Sequence, residues 1–419
     1  MSHVPALSLT SVASLETSAD AARSALSVRV HASFAELADL RTEWEQLVDA
    51  VDGEIYMTPD WLESWWAVYA GRRSLAVFVC RAHGRLVGVV PMLIDRVHIG
   101  PTALRVARVL GSDYGLLVCQ PPVLAEHSPA VFTAVLDGLL GHDLADVASF
   151  TAVGESWAAL PGLRDAATAP SAPWELLNDE PRGPFTTFHL PATFDEYLGT
   201  LSKNHRQNYR RTINLIRRYG ALRWDLTPPD AAEAEFERFR VQHETQWARD
   251  GKLGHFGDWP RALEFHTALV RRNAPLGRLR LVRLLLDDEP IAYNYAYRLG
   301  AAYHWLLPSR RVGEEYDRMG LGRVGVMTMI EAAIAEGARR VEAGPAHYDY
   351  KVQLGGTEIP RRALLIAARR RGVRARVQRF ALAARCLDVA YNKIWYRRVA
   401  PRIRWGRGSL WDWWIRSRI

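Results

Sequence analysis

Between Gly277 and Lys351 the chain reads GRLRLVRLLLDDEPIAYNYAYRLGAAYHWLLPSRR and, after four residues, YDRMGLGRVGVMTMIEAAIAEGARRVEAGPAHYDYK. Three strand-like runs in a row are followed by a glycine-bearing loop, a helical run, another strand and a Tyr350–Lys351 pair. That order sets a helix N-terminus and its free backbone amides beside a sheet. Unpaired N–H groups and the helix dipole both favour an anion there, so the pattern suits a phosphate-bearing cofactor.

The pattern begins twice. In the first half, VRVHA (28–32) reads as a strand and 34–50 as a helix. TPDWLESWWAVYAG (58–71) follows as a second helix, with Thr58 as N-cap and Pro59 at its first position. Residues 75–95 read as a hairpin turning at His83-Gly84, and 103–111 as a strand. SDYGLLV (112–118) leads into another strand, 128–140 is helical and 146–153 is a strand. From 185 the order resumes with a strand (185–190), a short helix (194–201), a strongly basic helix (203–220), a strand and helices at 231–251 and 259–273. The expectation is an α/β (α+β) chain of two tandem units, each a mixed central sheet flanked by helices. The expected domains are 28–180, 181–372 and a basic helical segment 373–419, with the boundary near 170–184, where Pro170, Pro173, Pro181 and Pro184 cluster.

The 419 residues, 48% of them apolar, allow two or three domains with real cores. No uncharged apolar run is long enough for a transmembrane helix. Residues 1–27 lack a basic start and are expected to be a disordered tail, not a signal peptide. Cys80, Cys119 and Cys386 are scattered, which suits a reducing cytoplasm and argues against a disulfide framework or a metal site. The net charge of +8 hides an asymmetry. Residues 361–419 hold 17 Arg/Lys and 2 Asp/Glu, a balance of +15, which leaves the first 360 residues at about −7. An anionic partner is therefore implied for the C-terminal segment alone.

Several residues are candidates for chemistry. Gly320, Gly322 and Gly325 let backbone approach a pyrophosphate, with Arg318 and Arg323 adding charge; the bland alternative is a tight strand-to-helix turn. Glu342, after the strand ARRVE, can take a proton from an amine nucleophile, or can form a structural ion pair. Tyr350 can protonate a leaving thiolate and Lys351 can hold an anion. His243 and Trp247 share a helix face and, with His266 as a base, can line an acceptor pocket, or pack in a core. Tyr293, Tyr295 and Tyr297 point one way along their strand, with His304 on its neighbour; such a face suits a sugar or acyl chain, or an ordinary core. Lys203, His205, Arg206, Arg210, Arg211, Arg217 and Arg218 form the basic helix, which can clamp a phosphorylated acceptor or face solvent. No set of ligands stands at metal spacing. Five tryptophans between Trp395 and Trp414 stand among arginines. That mixture suits a membrane interface, a docking partner, nucleic acid or packing on the main body. No nucleic-acid-binding motif accompanies it.

The ordered set PDWLESWW, GRLVGVVPMLI, GSDYGLLV, SKNHRQNYRRTINLIRRYG, HETQW, EFH, EPIAYNYAYRLGAAYHW and EAGPAHYDYK, spread over roughly 28–370, resembles the GNAT acyltransferases. Within them it resembles the CelD-like branch, encoded with polysaccharide-biosynthesis genes. The resemblance implies a tandem GNAT fold of the kind also seen in FemAB-type aminoacyltransferases, and acyl transfer from acyl-CoA to an amine. It adds weight to Tyr350 and Lys351. The chain departs from the usual pyrophosphate loop, since Arg318-Met319-Gly320-Leu321-Gly322 is one residue short. The expected protein is a cytoplasmic acyl-CoA-dependent N-acyltransferase. It would act on a small-molecule or lipid-linked amine of a sugar or cell-envelope precursor, peripherally attached to the inner face of the membrane. A FemAB-type transferase using aminoacyl-tRNA, or a non-catalytic recruiter of a polysaccharide synthase complex, are the alternatives.

Overall fold

The computed structural model describes residues 26–114, 118–403 and 409–419. In the first half, β1 (Leu26–His31) is followed by α1 (Arg41–Ala50) and α2 (Pro59–Tyr69). The Thr58 hydroxyl donates to the Ile55 carbonyl rather than capping α2. Then come β2 (Ser74–Ala82), β3 (Arg85–Ile99) and β4 (Thr102–Val109). The β2–β3 turn is His83-Gly84, both at positive φ, as a two-residue hairpin requires. α3 (Ser128–Leu136), β5 (Val147–Gly154) and α4 (Leu160–Ala167) complete this half. Ser112–Tyr114 form a turn rather than opening a strand, and residues 115–117 of that expectation lie outside the described residues.

β6 (Trp174–His189) runs through the stretch where a boundary was expected. Pro184 falls where the pairing with β12 shifts register, which tolerates a missing N–H, and Pro181 stays paired with Arg362. The second half then follows as α5 (Phe194–Thr200), α6 (Lys203–Ile216), β7 (Leu222–Leu226), α7 (Ala232–Arg249), α8 (Gly254–Asp258) and α9 (Ala262–Asn273). It continues with β8 (Leu279–Leu286), β9 (Glu289–Leu299), β10 (Ala302–Arg310), α10 (Glu314–Asp317), α11 (Leu321–Ala335), β11 (Arg340–Pro345), α12 (Asp349–Gln353) and β12 (Thr357–Ala368).

All twelve strands join one sheet in the order β1-β2-β3-β4-β5-β12-β6-β11-β10-β9-β8-β7. The two halves repeat one plan. Each has an antiparallel meander whose last strand pairs in parallel with the next, β4 with β5 and β10 with β11. The outgoing strands are exchanged: β6 leaves the first half to pair with β11, and β12 leaves the second to pair with β5. β6 and β12 pair with each other along most of their length. On one face a single core joins the halves. There Trp61 of α2 meets Phe265 of α9 and Tyr297 of β9, ring centroids 5.8 and 5.4 Å apart.

The C-terminal segment is α13 (Val373–Leu387), a π-helical stretch (Asp388–Val399), α14 (Ala400–Ile403) and α15 (Ser409–Arg416). It is not a detached tail. Val373, Val377 and Phe380, spaced as one helix face, pack on β4 and β12. Trp411 is fully buried, edge-on to Tyr114 and Trp259. Arg416 forms a two-pronged pair with the buried Asp95 at 2.7 and 2.6 Å. Packing therefore accounts for Trp411 and Trp414, whereas Trp413 is exposed and Trp405 lies outside the described residues. Leu26 and Ser27 open β1, and residues 1–25 of the expected tail also lie outside. Among the described residues no helix is long and apolar enough to cross a membrane.

Emptying the site of a buried indole costs about 3–5 kcal/mol. Trp411→Ala should lower unfolding free energy in urea by that amount, and Trp413→Ala by less than about 0.5 kcal/mol. Equal effects would contradict the packing described.

Candidate active site

β10 and β11 pair through only three positions, Ala302–Arg340, Tyr303–Val341 and His304–Glu342. β10 continues to Arg310 and β11 to Pro345, but the two no longer pair. Two local causes are visible. The register of β10 slips between Trp305 and Leu307, and Pro308 has no N–H to offer. β11 bends away with Gly344 and Ala346 at positive φ. A cavity of about 290 Å³ opens beside this wedge, close to the lower bound for small-molecule sites.

α11 closes one side. Its N-cap, Gly320, is left-handed at φ +58, and no side chain caps the helix. Gly322 and Gly325 face the cavity, and a Cβ on Gly322 would meet nothing nearer than the Arg310 Cδ at 4.0 Å. Arg310 and Arg323 flank the helix end. Open amides, a positive dipole end and two guanidiniums make an anion cradle.

The opposite wall is polar. Asn294 in β9 donates to the Gly325 carbonyl at 2.7 Å, tying strand to helix. Its Oδ1, the Ser309 Oγ and the Trp305 Nε1 are buried without a hydrogen-bond partner. All three residues line the cavity. A buried orphan polar group costs about 1–3 kcal/mol, so three around one cavity point to a ligand that pairs with them. Tyr350 of α12 completes the lining, and burial pushes its phenol up to about 12, so it holds its proton. Lys351 is buried. Its ammonium donates to the Ala343 carbonyl of β11 and lies 5.5 Å from the centre of the Trp305 ring. Burial lowers its pKa to about 8.

Glu342 stands at the last paired position before the strands part. Its neighbours Tyr303 and Val341 face the α11 side, so strand alternation turns Glu342 and His304 toward the first half. There Glu342 accepts from the Thr187 hydroxyl at 2.6 Å and the Arg340 Nε at 2.9 Å. Glu54, from the first half, lies 3.1 Å from the His304 Nδ1. Burial first, then the negative charge of Glu54, push Glu342 up to about 7.

The structure thus brings Gly322, Arg323, Gly325, Tyr293 and Tyr350 together, with Lys351 next to them. Other expected residues go elsewhere. Arg318 is exposed and pairs with Glu314 one turn back. Arg206 binds the Gly199 and Leu201 carbonyls at the end of α5, while Lys203 and Arg210 are exposed on α6 and do not line the cavity. His243 is buried and bonds the Pro308 carbonyl at 3.0 Å, so it positions the β10 wall without reaching the cavity. Trp247 stands beneath Lys252. His266 is buried between His255 and Tyr295, at 3.0 and 3.2 Å. Burial and then the neighbouring His255 and His243 hold its pKa well below the ordinary value, so it stays neutral. Of the tyrosine row, Tyr295 and Tyr297 bond each other inside the core, and only Tyr293 reaches the cavity. Asn294, Ser309, Arg310 and Glu54 were not singled out. Asn294 alone had a signal, an amide amid the apolar strand IAYNYAY.

Residues 203–352 match the family model described as an acetyltransferase (GNAT) domain. These residues lie in the second of the two units that repeat one α/β plan. FemX superposes with a TM-score of 0.57 at 12% identity, over 77% of this chain and 95% of its own. The C-terminal domain (DUF2156) of a putative lysylphosphatidylglycerol synthetase from Agrobacterium fabrum gives 0.50 at 10% identity, over 85% and 98%. Comparison with curated proteins finds no match. Among the described residues no group of three or more His, Cys, Asp or Glu could hold a metal ion.

The raised Glu342 pKa has a stability consequence. Between its ordinary value near 4.5 and about 7, the unfolded chain releases the proton while the folded chain keeps it. The folded state therefore binds more protons, and stability falls as pH rises through that window. The loss amounts to up to about 3 kcal/mol. Glu342→Gln should remove it, so the difference in unfolding free energy between variant and parent should shift in the variant's favour from pH 4.5 to 7.5. A pH-independent difference would show that Glu342 titrates normally.

Proposed function

We propose that the chain transfers an acyl group from acyl-CoA to an amine carried by a sugar or another cell-envelope or exopolysaccharide precursor. The observation that carries the acyl-transfer reading is the wedge between β10 and β11, which opens onto the uncapped N-terminus of α11. The Gly320–Gly325 turn, Arg323 and Arg310 would receive the pyrophosphate. Asn294, Ser309 and Trp305 would pair with the amide-rich arm that leads to the thioester. The amine nitrogen attacks the thioester carbon, the C–N bond forms and the C–S bond breaks. Glu342, directly or through water, takes the proton released by the amine, and a carboxylate with a pKa near 7 is matched to that task. Tyr350 returns a proton to the thiolate. Lys351, half-neutral only near pH 8, would steady negative charge on the carbonyl oxygen. The acceptor class rests on the resemblance to the CelD-like branch.

A second donor reading has one observation behind it. α6, with its exposed Lys203, Arg210 and Arg211, abuts the α11 N-terminus through Thr212, so an aminoacyl-tRNA acceptor end would meet positive charge there.

Acetyl-CoA should raise the melting temperature of the parent and not of Gly322→Asp, which sets a carboxylate in the anion cradle. No shift in the parent, together with tRNA binding that α6 Arg→Gln variants abolish, would transfer the reading to aminoacyl-tRNA. With amino-sugar acceptors, Glu342→Gln and Tyr350→Phe should each slow thiol release about 10²–10⁴-fold. Parental rates in both would make these residues structural and remove their assigned roles.

A further inference from the structure

The C-terminal helices turn two unlike faces outward and inward. Inward lie Val373, Val377, Phe380 and Tyr391, all buried. Outward, at the centre of the opposite face, lie Leu382 and Val389, 64% and 45% exposed and seven residues apart, which is two helical turns. Ile394, Ile403 and, on α15, Leu410 and Trp413 are exposed as well. Arginines and a lysine stand in the same segment: Arg379, Arg385, Lys393, Arg397, Arg398 and Arg402 are all exposed. From 373 to 419 the acids are Asp388 and Asp412, and both face inward, Asp388 accepting from the Trp414 indole and Asp412 from the Tyr114 hydroxyl.

We infer that this outward face docks on an anionic lipid bilayer, with Leu382, Val389 and Trp413 entering the head-group region and the surrounding cations meeting lipid phosphates. A folded surface normally sets polar residues opposite the buried stripe of a helix, so exposed aliphatic side chains at helical spacing need another partner. Charge complementarity names it. The face has cations at its rim, apolar groups along its middle and no outward carboxylate of its own segment, which is the composition of an interfacial helix. Three tryptophans of this segment are divided between two tasks. Trp411 and Trp414 fix the helices to the main body, and Trp413 is left for the interface, where indoles reside. Docking through this face would leave the enzyme on the cytoplasmic surface, beside lipid-linked acceptors.

The test uses the full chain and vesicles of phosphatidylcholine with and without phosphatidylglycerol. The parent should sediment with the anionic vesicles, much less with neutral ones and less as salt rises. Arg379→Gln with Arg385→Gln should weaken binding roughly 25-fold, about fivefold per charge. Leu382→Asp with Val389→Asp should abolish it, while Leu276→Asp, at an exposed leucine elsewhere, leaves it unchanged. All these positions are exposed, so melting temperatures should match the parent. No sedimentation of the parent, or full binding by Leu382→Asp with Val389→Asp, overturns the proposal. So does a dimer in analytical ultracentrifugation that the same double variant dissociates while vesicles go unbound, since the face then belongs to a second copy.

Discussion

The exchange of β6 and β12 is the constraint on which the rest of this molecule depends. Each unit supplies a strand to the other, and the two exchanged strands pair at the centre of a twelve-stranded sheet. Separating the units would strip β12 from β5 and β6 from β11, exposing ladder groups along two new edges as well as the shared core. The fixed relation between units has a direct effect at the site. It brings the Asp52–Tyr56 turn of the first half against β10 and β11 of the second, so that Asp52 pairs with Arg340 and Glu54 sits beside His304. The carboxyl that is set near neutrality, Glu342, owes that setting partly to a residue from the other unit.

The wedge itself comes from ordinary backbone chemistry. A parallel pair continues only while both strands keep register and both offer N–H groups. β10 loses the first condition after Trp305 and the second at Pro308, and β11 bends at Gly344. One sheet face then presents α11 and its amides, and the other presents Glu342. The cavity and Glu342 therefore lie on different sides of the sheet, and Glu342 is not among the residues that line the cavity. The neutral histidines support this frame at a distance. His243 holds the carbonyl of Pro308, and burial keeps its pKa below the ordinary value, so that hold persists at neutral pH.

How much of this was legible in the sequence depends on the range of the interaction. Local order was readable: the His83-Gly84 turn, the three-strand run from Gly277, the glycine turn into α11 and the repeated plan all follow from periodicity and turn chemistry. The roles of isolated polar residues were not. His266 and Tyr295 have the right types for a site but meet each other in the core, because strand alternation and helix packing decide which way a side chain points. Arg206 looked like a ligand clamp and is a helix-end cap. Glu54 carries no local signal, since its effect on Glu342 exists only once the sheet joins the halves. The C-terminal segment was read by composition as one basic, tryptophan-rich stretch. Composition cannot divide Trp411 from Trp413, which only the orientation of α15 separates.

The repeat also shows how the two units differ at corresponding places among the described residues. In the first unit β4 and β5 pair through three positions, ending at Arg108–Ser149, the counterpart of His304–Glu342. The same parting would be expected beyond that point, but other groups occupy it. Arg108 donates to the Arg416 carbonyl of α15, Arg416 pairs with Asp95, and Tyr114 bonds Asp412. The helix corresponding to α11 is α3, which begins Ser128-Pro129 instead of with glycines. Its first turn is covered by α4, so closely that a Cβ on Gly162 would fall 2.6 Å from the Pro129 nitrogen. The anion-binding end of α3 is thus sealed by packing and that of α11 is open. In the first unit α15 packs against that place, where Arg108 Nε, Ser112 Oγ and Ser149 Oγ are themselves buried without a partner, whereas in the second unit a cavity of about 290 Å³ lies at the α11 end.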